Sequence, residues 1–166
     1  MRRPTQAQLM EVLSYDPTTG VFIRKVSKTN AIKSGTIAGY IDGNGYRLIR
    51  VCGRTYKAHR LAWVYVYGRW PRRQIDHINR DRTDNRIVNI REATQLQNSR
   101  NSGPKPNNTS GFAGVSWHKA TKKWMASIGN GRKIYLGLFL TPEAASAVYE
   151  AKATELFGEF KRTLTT

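Results

Sequence analysis

The 166-residue chain carries 28 Lys and Arg against 11 Asp and Glu, a formal charge of +17, far more than solubility requires and typical of a protein that seeks polyanions. One cysteine, Cys52, excludes a disulfide framework and a cysteine-rich zinc site. The longest apolar run, around Leu61 to Tyr67, is much too short to span a bilayer, so the expected setting is intracellular and reducing, with no membrane partner.

Residues 5–14 predict a short helix, with Leu9, Val12 and Leu13 at helical spacing. Strand-like segments follow at Val21 to Arg24, Thr36 to Ile41 and in a hairpin of Tyr46 to Val51 and Thr55 to Ala58, punctuated by Asp42-Gly43, Asn44-Gly45 and Cys52-Gly53-Arg54. This is a small basic sheet. From His59 to Tyr67 the stripe Leu61, Val64, Tyr65 predicts a helix, stopped by Gly68 and Pro71. Residues 74–78 predict a strand, 79–86 a polar loop, 87–90 a return strand and 93–101 a helix.

Residues 101–110, rich in Ser, Gly, Pro and Asn, predict a linker, able to reach at most roughly 33 to 36 Å when extended. Beyond it, Phe112 to His118, Lys123 to Ile128 and Lys133 to Phe139 predict a three-stranded meander. Thr141 and Pro142 then open a helix whose Ala144, Ala147, Val148 and Ala151 offer a small-residue face to the sheet, and Gly158 ends it. Alternation assigns Trp124, Ala126, Ile128, Ile134, Leu136 and Leu138 to the helix-covered face. His118, Lys123, Met125, Ser127, Lys133 and Tyr135 fall on the other, a basic and partly aromatic surface suited to a nucleic-acid groove. The expected class is therefore α+β: a small basic sheet, a strand-strand-helix module, a linker, and a three-stranded antiparallel sheet packed on one helix.

The densest chemistry lies in IDHINRDRTDNRIVNIREATQLQNSRN, residues 75–101. Twelve positions separate His77 from Asn89 and nine more lead to Asn98, the spacing of a strand, a returning strand and a helix folding onto one point. Phosphodiester cleavage requires a base for the attacking water and a cation for the charged transition state. His77, neutral at physiological pH with an ordinary pKa of about 6.5, can serve as the base. Asp76 and the Asn98 carbonyl are hard oxygen donors suited to Mg²⁺ or Mn²⁺. Since neighbouring residues of a regular strand point to opposite faces, the strand must end or bend at Asp76-His77. Asn85 reads as a turn former, and His59 as a packing or hydrogen-bonding neighbour of the site.

AHRLAW (58–63), IDHIN (75–79), TDNR (83–86), NIREAT (89–94) and QNSRN (97–101) resemble the HNH nucleases of ββα-metal fold, and more closely the small phage and intron-encoded HNH endonucleases. The likeness covers about a quarter of the chain. It implies that His77 is the general base, that Asn89 fixes the loop orienting it, and that Asp76 with Asn98 holds one divalent ion. The third motif letter is Asn rather than His, which favours Mg²⁺ or Mn²⁺ over zinc. It also implies a homing enzyme encoded by a phage or intron, acting in the host cytoplasm if phage-encoded and leaving 3′-hydroxyl and 5′-phosphate ends.

SGFAGVSWHKATKKWMASI, IYLGLF and TPEAASAVYEAKATELFGEF, within residues 110–164, resemble the Apetala-type (ethylene-response-factor) DNA-binding domain, whose members read the major groove with the sheet. Ala113, Ser116 and Gly129 stand where plant members carry base-contacting arginines, so their target sequence does not transfer. The expected domains are a nuclease over 1–100 with its core at 74–101, a linker over 101–110 and an Apetala-type domain over 111–166. The expected substrate is double-stranded DNA, contacted by Arg47, Arg50, Arg54, Arg72, Arg73, Arg80, Arg82 and Arg86 and by His118, Lys123, Ser127, Lys133 and Tyr135. If about six cations engage phosphates, affinity falls with salt at a log-log slope near −5. A monomer is favoured, a dimer possible, and the alternative is a non-catalytic, sequence-specific DNA-binding regulator.

Overall fold

A computed structural model describes residues 3–27, 33–101 and 108–161. Residues 102–107 of the expected linker and 162–166 of the expected C-terminal domain lie outside the described residues. The chain is α+β and forms two compact units that divide between Leu96 and Gln97.

The first unit opens with α1 (Gln6–Val12), set by a capping box in which Thr5 Oγ1 accepts from the Gln8 amide and the Gln8 side chain accepts from the Thr5 amide. The helix ends sooner than its spacing predicts. Leu13 enters β1 (Leu13–Tyr15), because Leu13 and Tyr15 alternate into the core while Ser14 faces out. β1 pairs antiparallel with β2 (Phe22–Arg24). A second sheet holds β3 (Tyr40–Ile41), β4 (Arg47–Val51) and β5 (Arg54–Lys57) in that order. The strand expected over Thr36 to Ile41 thus shrinks to two residues, with Ile37 making only a single bridge to Ile23.

Lys57 is the N-cap of α2 (Ala58–Tyr67), which Gly68 terminates in a left-handed conformation. Leu61 and Val64 of α2 join Leu9, Leu13, Phe22, Ile49 and Val51 in one apolar core. Beyond it lie β6 (Gln74–His77), a 3-10 turn at Ile87–Asn89, β7 (Ile90–Ala93) and α3 (Gln95–Arg100). The return strand therefore sits three residues later than 87–90. Ile87–Asn89 curls into the turn, and the antiparallel ladder pairs Asp76 with Arg91 and His77 with Ile90.

The second unit contains β8 (Val115–His118), β9 (Lys123–Asn130) and β10 (Arg132–Phe139) as an antiparallel meander, covered by α4 (Pro142–Phe157) with Thr141 as its N-cap. Phe112 and Ala113 precede the first strand rather than belonging to it. A register shift between Tyr135 and Gly137 breaks the expected alternation. Leu136 and Phe139 consequently pack with Val115, Ala126 and Ala145, while Leu138 pairs with Met125, which is on the face away from α4. The helix face also differs from expectation: Ala145, Ala153 and Phe157 are buried and Tyr149 packs with them, whereas Ala144, Ala147, Val148 and Ala151 are exposed. Alanines occur all round this helix, so its larger side chains, Tyr149 and Phe157, decide which face meets the sheet.

Gly20 links the N-terminal hairpin to the polar loop. Its φ of +73° is left-handed, and a Cβ there would lie 2.5 Å from the Arg86 nitrogen and 2.6 Å from the Asn85 carbonyl carbon. Tyr15 Oη donates to the Asn85 carbonyl over 2.7 Å beside it, and burial raises that phenol's pKa. Gly20→Ala therefore combines backbone strain with a backbone clash. Its expected cost, read from thermal or urea unfolding, exceeds about 1 kcal/mol, and it displaces Asn85.

Candidate active site

β6 ends at His77, and Asp76 and His77 are its last two residues, in unbroken register with Arg91 and Ile90. Both faces of the β6–β7 ribbon are covered at this end: Asp76 is 4% exposed and His77 5%. A buried carboxylate must be paired, and the residue opposite it in the ladder supplies the partner. Arg91 donates from Nε at 3.0 Å and from a terminal nitrogen at 2.9 Å, both to Asp76 Oδ2. Arg91 was not among the expected site residues. With the return strand misplaced by three positions, this pairing could not be read.

His77 sits among rings and amides. His59 from α2 packs edge-to-face against it with centroids 4.9 Å apart, and Tyr46 lies 6.2 Å from His77 and 5.5 Å from His59. Asn85 Oδ1 is 3.4 Å from His77 Nε2, while Asn85 Nδ2 donates to the Thr83 carbonyl over 2.8 Å. Asn85 is 1% exposed, so the residue expected to be a turn former is a buried neighbour of the imidazole. Its signal was the TDNR motif itself. Burial lowers the His77 pKa below the ordinary histidine value, although Asn85, Asp76, Asp81 and Asp84 oppose that shift. The imidazole is thereby kept neutral at physiological pH.

Asn89 follows the polar loop and closes it. Its Oδ1 accepts from the Asn79 amide at 3.0 Å, and its Nδ2 donates to Asn79 Oδ1 at 2.9 Å and to the Asp84 carbonyl at 2.8 Å. An asparagine side chain offers two donors and an acceptor in one plane, and here all three functions tie the two ends of the loop together. The Ile78 amide also donates to the Asn89 carbonyl. Asn98 is half-buried on α3, beyond the division between the units. Asp76, His77, Asn85 and Asn89 thus belong to the first unit and Asn98 to the second.

A family model described as HNH endonuclease matches residues 56–100. Protein 3.8 of Escherichia phage T7 is 30% identical over 112 residues, spanning 64% of this chain and 92% of that protein. The chain belongs to the family of Protein 3.8 and carries an HNH endonuclease domain. No solved structure matches it significantly. An HNH domain marks a DNA-hydrolysing nuclease, and such nucleases generally use a divalent metal. Among the described residues no three His, Cys, Asp or Glu side chains are grouped to hold a metal, and no helix is long and apolar enough to cross a membrane.

The expected DNA-contacting residues of this HNH protein divide by their partners. Arg50, Arg54, Arg72, Arg73 and Arg82 are exposed. Arg47 is half-buried and reaches the Ala38 and Gly39 carbonyls at 3.3 and 3.4 Å, Arg80 is half-buried with a φ of 66°, and exposed Arg86 is paired with Asp84 at 2.6 Å. In the second unit the register places His118, Lys123, Ser127, Lys133 and Tyr135 on one sheet face. Lys123, Lys133 and Tyr135 are exposed there, and His118 Nδ1 lies 2.8 Å from Thr121 Oγ1.

Burial, with smaller contributions from His77, Lys57 and Arg60, lowers the His59 pKa to about 2. Between that value and the unfolded pKa near 6.5, the unfolded chain binds a proton that the folded chain refuses. Stability is thus fully present above about pH 6.5 and is lost as pH falls. His59 contributes about 2 kcal/mol of loss between pH 7 and pH 5. His59→Phe should flatten the fall of melting temperature over that interval; an unchanged slope would show that His59 accepts a proton in the fold.

Proposed function

We propose that the chain is a metal-dependent DNA endonuclease in which His77 is the general base. The observation that carries this reading is a buried imidazole, held neutral, directly after a buried carboxylate, within the segment that matches the HNH model. His77 takes a proton from the attacking water, and Asn85 and the packed His59 ring hold the imidazole's orientation. Asn89 is a positioning residue: its three bonds to the 79–84 loop set where that loop runs past His77.

Asp76 is the proposed carboxylate ligand of one Mg²⁺ or Mn²⁺, and Asn98 is named as the second ligand by the HNH resemblance alone. The donor chemistry fits: a carboxylate and an amide carbonyl are both hard oxygen donors. An all-oxygen set with few protein ligands suits a hard ion that retains several waters. When bound, such an ion supplies positive charge to the phosphate and the departing oxygen.

The second unit is the proposed DNA-reading part, as its Apetala-type resemblance implies. Its cationic and aromatic face, with Tyr135 60% exposed, supports that reading. One centre per chain makes a monomer a nicking enzyme, and cutting both strands requires a dimer or a second visit. The phage relative supports a phage setting, of which a homing role is the specific form proposed. A non-catalytic DNA-binding regulator is the second reading, favoured by the Arg91–Asp76 pair, which neutralises the acid without a metal.

Supercoiled plasmid separates the two. With Mg²⁺ or Mn²⁺ the protein should nick it, chelation should stop the reaction, and His77→Ala should abolish nicking while leaving duplex affinity within about twofold; absence of metal-dependent nicking by the unaltered protein overturns the enzymatic reading. Asp76→Asn is preferred to alanine for testing the metal, since its amide carbonyl keeps a hydrogen-bond acceptor for Arg91. For the second unit, Lys133→Ala with Tyr135→Ala should weaken duplex binding in fluorescence anisotropy by roughly tenfold or more without moving the melting temperature. Unchanged affinity removes that face from DNA recognition.

A further inference from the structure

Two cations near the candidate centre share one ring. Lys57 Nζ is 3.5 Å from the centroid of the Tyr46 ring, and the Arg82 guanidinium carbon is 5.0 Å from the same centroid. Arg86 and Arg91 are each ion-paired with an aspartate, whereas neither Lys57 nor Arg82 forms an ion pair among the described residues. Asp42, the acid that acts on Lys57, already uses Oδ1 to accept the Asn44 and Tyr46 amides at 2.9 and 2.8 Å. Arg82 is held by a 2.8 Å bond to the Asn44 carbonyl, which ties the loop after His77 to the turn before Tyr46.

Like charges gathered on one ring repel unless an anion joins them. Burial pushes the Lys57 ammonium pKa down, and Arg82 and Arg60 push it further against the opposing pull of Asp42. The position is set by the fold: Lys57 is the last residue of β5, opposite Leu48 in the ladder, and Tyr46 immediately precedes β4. The Tyr46 ring in turn meets both His59 and His77. The legs of 3.5 Å from Lys57 to Tyr46 and 6.2 Å from Tyr46 to His77 bound the separation of ammonium and imidazole from above. That bound keeps the two groups near enough to act on one phosphate and its attacking water, which stand about 3–3.5 Å apart before attack.

We propose that Lys57 and Arg82, gathered on the Tyr46 ring, form the subsite that takes the nonbridging oxygens of the phosphodiester cleaved at His77. The inference rests on the reading of His77 as the cutting centre. Lys57 and Arg82 are then catalytic residues, donating hydrogen bonds to oxygens on which charge grows, and Tyr46 positions both through its ring. The proton from water still goes to His77. Lys57 has three N–H donors and no acceptor, so contact with a ring face leaves donors to meet phosphate.

The test is single-turnover nicking of supercoiled plasmid by the full chain in excess, beside duplex affinity by anisotropy and melting temperature, for Lys57→Met, Arg82→Gln, Lys57→Arg and His77→Ala. The proposal expects Lys57→Met and Arg82→Gln each to slow the saturated rate roughly 10²-fold, more than they weaken binding, with Lys57→Arg recovering much of the rate. Arg82 is exposed, so Arg82→Gln decides the matter if Lys57→Met fails to fold. If His77→Ala is inactive while Lys57→Met and Arg82→Gln nick at the unaltered rate once saturated, or lose only affinity, the subsite is overturned and the cutting centre stands. If His77→Ala nicks normally, the cutting centre itself is wrong and the subsite falls with it.

Discussion

The antiparallel register of β6 and β7 is the constraint on which the candidate centre depends. Ile75, Asp76 and His77 are all buried, so an acid and an imidazole leave water on adjacent residues. Only one alignment places Arg91 opposite Asp76. A slip by one residue would turn every side chain to the other face and bury a carboxylate without its counter-charge, a penalty of several kcal/mol. The ion pair adds little net stability over an apolar pair of the same shape, but it makes the wrong registers costly. That fixes where His77 stands.

Around this ribbon, asparagines do what a longer strand cannot. Asn89 pins the loop from one end, Asn79 bridges to Asp84, and Asn85 turns inward against His77. The N-terminal hairpin closes the outside through Tyr15 and the bare backbone of Gly20. Reaching-distance geometry at an active centre depends on supporting contacts of this kind, and here they come from residues some seventy positions apart in sequence, as the 2.7 Å bond of Tyr15 to Asn85 shows.

Net charge of +17 says that the protein meets a polyanion, yet the cations differ in what holds them. Arg69, Arg86 and Arg91 neutralise acids within the fold. Arg50, Arg54, Arg72 and Arg73 are exposed, and the field of such surface charges is screened by salt. Lys57 and Arg82, drawn to one ring near the imidazole, carry a different chemistry from the diffuse surface charge around them.

Much of this was legible in the order of residues. Gly68 after an apolar stripe and Thr141-Pro142 before a helix depend on local backbone geometry and on short-range periodicity, which neighbouring residues determine. The misses share a cause. The bulge at Tyr135–Gly137 moved Leu138 off the core face, Ile87–Asn89 curled before β7, and the alanines of α4 marked no single side. In each case packing against a distant element outweighed a pattern that admitted two solutions. Sequence by itself determined the α+β class, the affinity for a polyanion and the presence of an HNH-type acid, imidazole and amides. Tertiary structure alone decided that Arg91 answers Asp76, that Asn85 and His59 flank His77, and that Lys57 meets Arg82 over Tyr46, because burial and pairing of charge act through space between residues that the chain keeps far apart.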